Sequence, residues 1–211
     1  MAIFAGIIDD ARLYQSLRLP NVNAGILPLA LVWCVSRGLW VLASHRVAHR
    51  YSELHPTDGF AWVYKFWLGI VMRIGAYLSA VLAKCEVRPT TDIAPGVFLS
   101  NRGHIVLGAR SVGSGTIVHE RVTVGMSLMG KQLPTIGRNV WIGPDCVIHG
   151  ALTIGDGATL LPRTVLTKSI PSGSVVQGNP ARIVRREFEN SRLRNSLSTD
   201  SASLMDAGRG N

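Results

Sequence analysis

Ile136-Gly137-Arg138-Asn139-Val140-Trp141-Ile142-Gly143-Pro144-Asp145-Cys146-Val147-Ile148-His149-Gly150-Ala151-Leu152-Thr153-Ile154-Gly155 places an aliphatic side chain at every sixth position and follows three of its four marker aliphatics with glycine. An α-helix, at about 3.6 residues per turn, drifts out of phase with a strict period of six. A flat strand alternates every second residue and has no glycine punctuation. A three-sided coil accounts for the pattern: each short strand turns one aliphatic inward, a corner follows, and three such units close one rung. Stacked rungs then bury continuous columns of side chains. The corners supply glycine, Asn and Asp (Arg138-Asn139, Gly143-Pro144-Asp145, Gly155-Asp156-Gly157), the residues that tolerate the required dihedrals.

Outward from that stretch the series continues through Val112, Val118 and Val124 on one side and Leu160 and Leu166 on the other, with Gly130 as its one break. Ile93, Leu99 and Ile105 are also six apart, but Val112 follows Ile105 by seven, so the phase slips there. Residues 126–135 form a second irregularity. Loops ejected from a regular scaffold are where sites are commonly built. The spacing therefore predicts a mainly β chain with three regions: a helical N-terminal region at 1–91, a parallel β-helix at 92–184, and a short helix with a disordered tail at 185–211.

The chain has 211 residues, 47% of them apolar and 17% charged, enough to bury a core. Its formal net charge is +9. No compact Lys/Arg run is interleaved with aromatics, which argues against a nucleic-acid partner; a phosphorylated ligand or an anionic membrane surface would use the same charge. Cys34, Cys85 and Cys146 are odd in number and widely spaced, with neither a disulfide framework nor metal spacing, so a reducing, cytoplasmic setting is expected. The N-terminus lacks the pattern of a signal peptide. Two apolar stretches, 24–44 and 60–83, are long enough to raise a membrane span. Pro28 and Arg37 in the first, and Lys65 and Arg73 in the second, argue against it. Helices packed on one another or on other subunits, and helices lying on a membrane surface through Trp40, Trp62 and Trp67, are the remaining alternatives.

Thr167-Lys168-Ser169-Ile170-Pro171 and Val175-Val176-Gln177-Gly178-Asn179-Pro180-Ala181-Arg182 resemble the C-terminal cap of hexapeptide-repeat acyltransferases. Asp92-Ile93-Ala94-Pro95 is similar to that family's entry to the coil, and Val122-Thr123-Val124-Gly125 to its central Val-Thr-aliphatic-Gly. Helices followed by a coil resemble serine O-acetyltransferase and its relatives that acetylate surface polysaccharides. The resemblance implies a left-handed β-helix, a homotrimer, and acetyl-CoA bound between neighbouring coils. It also exposes a departure. The family's Asp-His pair falls on Ser100 and Asn101 here, and its second histidine on Leu133.

Acyl transfer to a hydroxyl needs a base, for which histidine is the usual side chain. His119 follows an inward aliphatic in Val118-His119-Glu120-Arg121-Val122-Thr123-Val124-Gly125, a pattern similar to the polysaccharide branch, with Glu120 as a candidate to orient it. His104, at the first slip, is the other candidate, supported by Ser100 or Asn101; His149 is a weaker third. The resemblance implies that Gly143, Gly157 and Ala158 line the pantetheine trough. Lys168, Arg182, Arg185 and Arg186 are candidate phosphate contacts. No metal is expected, and no nucleophilic Ser/His/Asp set suggests a covalent acyl-enzyme. The expected activity is acetyl or acyl transfer from CoA to a hydroxyl of a small molecule, sugar or polysaccharide precursor. The alternatives are serine O-acetylation with relocated histidines and a non-catalytic scaffold.

Overall fold

The computed structural model describes residues 2–18, 36–53, 59–78, 81, 83–127, 130 and 132–194. Pro28, Cys34, most of the first apolar stretch and the expected tail beyond Arg194 lie outside the described residues. Three helices, α1 (Ala2–Arg18), α2 (Arg37–Glu53) and α3 (Gly59–Leu78), precede fifteen short strands, numbered along the chain. Five of these, β1 (Cys85–Val87), β4 (Ile105–Leu107), β7 (Thr123–Gly125), β10 (Val147–His149) and β13 (Val165–Leu166), form one parallel sheet. A second sheet joins β2 (Asp92–Ile93), β5 (Ser111–Val112), β8 (Thr135–Ile136) and β11 (Thr153–Ile154). The third joins β3 (Phe98–Leu99), β6 (Ile117–Val118), β9 (Trp141–Ile142), β12 (Thr159–Leu160), β14 (Val175–Gln177) and β15 (Arg182–Arg185). The chain visits the three sheets in turn, as the six-residue period requires.

Register confirms the columns. Ile93, Val112, Ile136 and Ile154 are successive partners on one face. Leu99, Val118, Ile142, Leu160 and Val176 line the second, and Leu107, Val124, Ile148 and Leu166 the third. All are buried. Each such side chain contributes about 2 kcal/mol by leaving water. The extra length between Val124 and Ile136 falls between β7 and β8, where the series broke at Gly130. The first slip sits elsewhere than the spacing suggested. Leu107, not Ile105, occupies the column with Val124. Strand β4 buries both Ile105 and Leu107 and exposes Val106 between them. The extra residues therefore lie in the corner at 101–104, before the strand. The coil also starts earlier than residue 92, because β1 pairs in parallel with β4. At the far end β15 runs antiparallel to β14, and residues 191–194 form a single helical turn.

A parallel stack leaves unpaired amides and carbonyls on its first rung, and here the helices supply partners. The Tyr14 hydroxyl donates to the Leu99 carbonyl at 2.6 Å and accepts from the Leu99 N–H at 2.8 Å. Tyr14 is fully buried, its ring against Phe98 at 4.5 Å. Asp10 accepts from the Gly96 N–H at 2.9 Å and holds Arg46 through two bonds of 2.8 and 2.9 Å. Burial pushes the Asp10 carboxyl above its ordinary range, against the pull of Arg46 and the amides. In return the coil caps a helix. Asn101 Oδ1 accepts from the Gly38 N–H in the first turn of α2 at 3.0 Å. Gly38 is required there, since a Cβ would run into the Leu99 carbonyl and the Tyr14 hydroxyl.

Tyr14→Phe removes both bonds to Leu99 and leaves a buried amide and carbonyl unpaired. It should lower unfolding free energy by about 2–3 kcal/mol, read from urea titrations of the variant and the wild type. His45 on α2 is 5% exposed, and among the described residues neither ring nitrogen makes a hydrogen bond of good geometry. Burial, then the neighbouring His49, lowers its pKa from 6.5 to about 4, with the carbonyls of Arg88 and Thr91 opposing. The unfolded chain thus binds a proton that the folded chain refuses. Stability should fall as pH drops through 6.5 toward 4, by up to about 3 kcal/mol from this group. His45→Phe should flatten that part of the pH dependence. An unchanged difference between pH 7 and pH 4.5 would remove His45 as its source.

Candidate functional site

The corner linking the six-stranded to the five-stranded sheet carries the candidate chemistry. Its successive turns place His104, Arg121, Asp145 and Arg163 in the left-handed region, with φ of 59°, 54°, 59° and 62°. The turns are laced to one another: Arg121 N–H donates to Gly103 O at 3.2 Å, Asp145 N–H to Glu120 O at 3.2 Å, and Arg163 N–H to Pro144 O at 3.0 Å. With the interior filled by aliphatics, this edge displays a column of outward polar side chains. Arg121 and Asp145 form a two-pronged pair at 2.6 and 2.8 Å.

His119 follows the buried Val118 and lies half-buried on this edge. Its ring rests on Trp141 of the next coil, centroids 4.8 Å apart, and its Nε2 is buried without a partner. Its Nδ1 is 3.9 Å from Glu120 Oε2. Glu120 is buried and held from the coil above: Ser100 Oγ donates to Oε2 and Arg102 Nη1 to Oε1, each at 3.1 Å. Burial alone would raise the Glu120 carboxyl, but its backbone amide, Arg102 and Ser100 hold it below the usual range. His119 sits below its ordinary pKa, chiefly through burial and with help from Arg102, while Glu120 pulls it up. The ring is therefore neutral near pH 7, as a proton acceptor must be.

The structure thus brings together Ser100, His119 and Glu120 from the sequence candidates. It separates Asn101, whose side chain caps α2, and leaves His104 exposed at its corner. His149 lies half-buried at the end of β10, on another face. Arg102 and Trp141 complete the cluster and had not been singled out. Arg102 lies between the sequence candidates Asn101 and His104. Trp141 becomes a neighbour of residue 119 only once the ejected loop has lengthened the coil between them.

The expected ligand trough is mixed. Lys168 and Arg182 line one cavity of about 320 Å³ with Pro180 and Ala181. Arg185 lies apart from it, its guanidinium 5.3 Å from the centre of the Phe188 ring, and Arg186 is exposed. Gly143 is small because the next coil leaves no room: a Cβ would stand 2.8 Å from the Leu160 carbonyl. Gly157 turns a left-handed corner, φ 68°. Ala158 is fully buried, and Asn190 Nδ2 donates to the Asn139 and Gly157 carbonyls at 2.8 and 3.2 Å, covering this corner. Ala158 is thus packing beneath the C-terminal segment, not an open trough wall. A second cavity, about 430 Å³, opens beside the loop and is lined by Arg110, Gln132, Leu133 and Thr135 among others. Leu133 reaches it at the position where the resemblance put a histidine.

A family model for the bacterial transferase hexapeptide (six repeats) matches residues 134–168. The chain is 28% identical over 152 residues to the serine acetyltransferase of Synechococcus elongatus, covering 71% of this chain and 57% of that protein. It is 26% identical over 159 residues to that of Mycobacterium tuberculosis, covering 74% and 64%. The chain therefore spans about three fifths of the length of these curated relatives. The crystal structure of serine acetyltransferase from Vibrio cholerae superposes with a TM-score of 0.69 at 24% identity, covering 95% of this chain and 71% of that one. In its repeat the chain is similar to the bacterial transferase hexapeptide family, in sequence to serine acetyltransferases, and in fold to their solved structures.

The charges around His119 set the direction of two shifts. In an NMR titration of the ring, wild-type His119 should protonate below pH 6.5. Glu120→Gln should move its midpoint lower still, since the charge favouring the imidazolium is gone. Arg102→Met should move it upward. A midpoint unaffected by either change would show that the carboxylate does not act on the ring.

Proposed function

We propose that this chain is a CoA-dependent O-acetyltransferase working as a homotrimer, with His119 as the general base. The observation that carries this reading is the ordered set on one edge of the β-helix: a neutral histidine 3.9 Å from a carboxylate that Ser100 and Arg102 hold in place. The acceptor hydroxyl attacks the thioester carbonyl carbon while its proton passes to the imidazole. The tetrahedral adduct then collapses, the carbon–sulfur bond breaks, and the departing CoA thiolate takes the proton back from the imidazolium. Glu120 stabilises the imidazolium formed between these steps. The Nε2 of His119 is buried, so access to an acceptor requires the imidazole or a side chain covering it to turn. Lys168 and Arg182, sharing one cavity, are suited to CoA phosphates.

For the acceptor, the similarity to serine acetyltransferases favours serine over a sugar. One observation supports the second reading, a sugar hydroxyl. Ser100 and Asn101 are engaged by Glu120 and Gly38, and Leu133 offers no proton acceptor, so the positions resembling the serine enzymes' catalytic set are occupied otherwise.

Release of free thiol from acetyl-CoA should be followed with L-serine and with a panel of sugar acceptors. His119→Ala should lower kcat by about a hundredfold to ten-thousandfold while CoA still raises the melting temperature. His104→Ala should retain most turnover. Undiminished turnover in His119→Ala would remove it as the base. Absence of both turnover and CoA stabilisation in the wild type would favour a non-catalytic scaffold.

A further inference from the structure

Helix α3 turns one side to α2 and, among the described residues, leaves the other uncovered. On the packed side, a Cβ on Gly75 would meet Ser44, and one on Gly69 would meet the Tyr51 ring, so small residues set the close approach. Lys65 also lies on this side, its ammonium 5.3 Å from the centre of the Tyr51 ring. The opposite side carries Trp62, Phe66, Trp67 and Tyr77, exposed to 64%, 65%, 61% and 67%, with Val71 and Ile74 between them. Spacings of four, five and seven residues put these on one broad face. So large an apolar surface marks an interaction site.

We infer that this face of α3 docks on an anionic lipid bilayer. Three features choose that occupant. Indole and phenol groups combine an apolar body with a polar tip, which suits the headgroup boundary. Helix α3 has no acidic residue and α2 has only Glu53; Arg46 is paired with Asp10 and Lys65 lies on the packed side, while Arg37, Arg50 and Arg73 add exposed positive charge. Arg73 stands exposed at the margin of the aromatic face. With a chain charge of +9, this favours an anionic surface, whereas a second copy seated face to face would set like charges against one another. Among the described residues, no helix is long and apolar enough to cross a membrane, so the contact lies in the interface plane.

The test is co-sedimentation of the full chain with vesicles of equal parts phosphatidylcholine and phosphatidylglycerol, and with vesicles of phosphatidylcholine alone. The wild type should bind the anionic vesicles, more weakly as salt rises, and bind neutral ones poorly. The double variant Trp62→Ser, Trp67→Ser should bind at least about tenfold more weakly. Arg73→Glu should weaken binding to anionic vesicles only. Both are surface changes, so circular dichroism and CoA stabilisation should match the wild type. Equal binding by the double variant, or no binding by the wild type at low salt, overturns the inference. So does a change of oligomeric state in the double variant without vesicles, which would assign the face to a second copy.

Discussion

A coil of parallel strands can be hydrogen-bonded only from the rung above and the rung below, so the stack must be closed at both ends. This requirement arranges the rest of the molecule. Unpaired strand edges invite further pairing. At the C-terminal end the chain folds back on itself, as β15 reverses against β14. At the N-terminal end helices do the closing, and they do it with side chains. One phenol serves both the amide and the carbonyl of Leu99, and one carboxylate takes the Gly96 amide. Asp10 is buried and needs Arg46, which in turn ties α1 to α2. With α1 and α2 committed to the first rung, α3 packs on α2 from outside and has no rung of its own to cover. Its aromatic face follows from that position.

The same closure shapes the candidate site. Ser100, Asn101 and Arg102 lie in the first corner, between the helical plug and the second coil. Asn101 faces the plug, where it caps α2, while Ser100 and Arg102 face the next corner, where they hold Glu120. Neighbouring residues thus serve opposite neighbours. The inserted residues that lengthen this corner let it meet both. A left-handed corner costs a non-glycine residue roughly 1–2 kcal/mol. His104, Arg121, Asp145 and Arg163 nevertheless occupy such corners in succession, each of the last three joined by its amide to the turn above. The cost is offset by a continuous ladder, and the result is a polar edge on a prism whose inner columns are aliphatic.

What could be read from the sequence divides along this line. The columns were legible because the interior imposes one rule, a single aliphatic per face per rung, and that rule repeats in the sequence. The extra length between β7 and β8 was legible as a break in it. The first slip was misplaced because Ile105 and Leu107 both point inward from one strand, so either satisfies the pattern, and only pairing with Val124 selects Leu107. The site was half legible. His119 and Glu120 are adjacent in sequence, and their outward position follows from the buried Val118. Arg102 and Trp141 belong to other rungs, and their approach depends on coil lengths that the two irregularities alter. Asn101 and Ala158 each make a contact the pattern does not show, with a segment outside the repeat: α2 in one case and Asn190 in the other. Periodicity says nothing about what packs on its outside.

Leu133 gives the arrangement its chemical direction. Leu133 and Arg110 both line the larger of the two cavities, and neither side chain accepts a proton near neutral pH. Arg110, Gln132 and Thr135 can bind or orient an acceptor, but the residues named there lack a histidine or carboxylate to deprotonate it. Under the proposed acyl transfer, the base is sought on the polar edge. On that edge Asp145 is committed to Arg121, and Glu120 is held as a carboxylate by Ser100 and Arg102. The low pKa that these contacts impose makes Glu120 a poor base but a good counter-charge. His119 is the neighbour that can use it, kept neutral by burial and near enough to Glu120 for the charge to stabilise its protonated form.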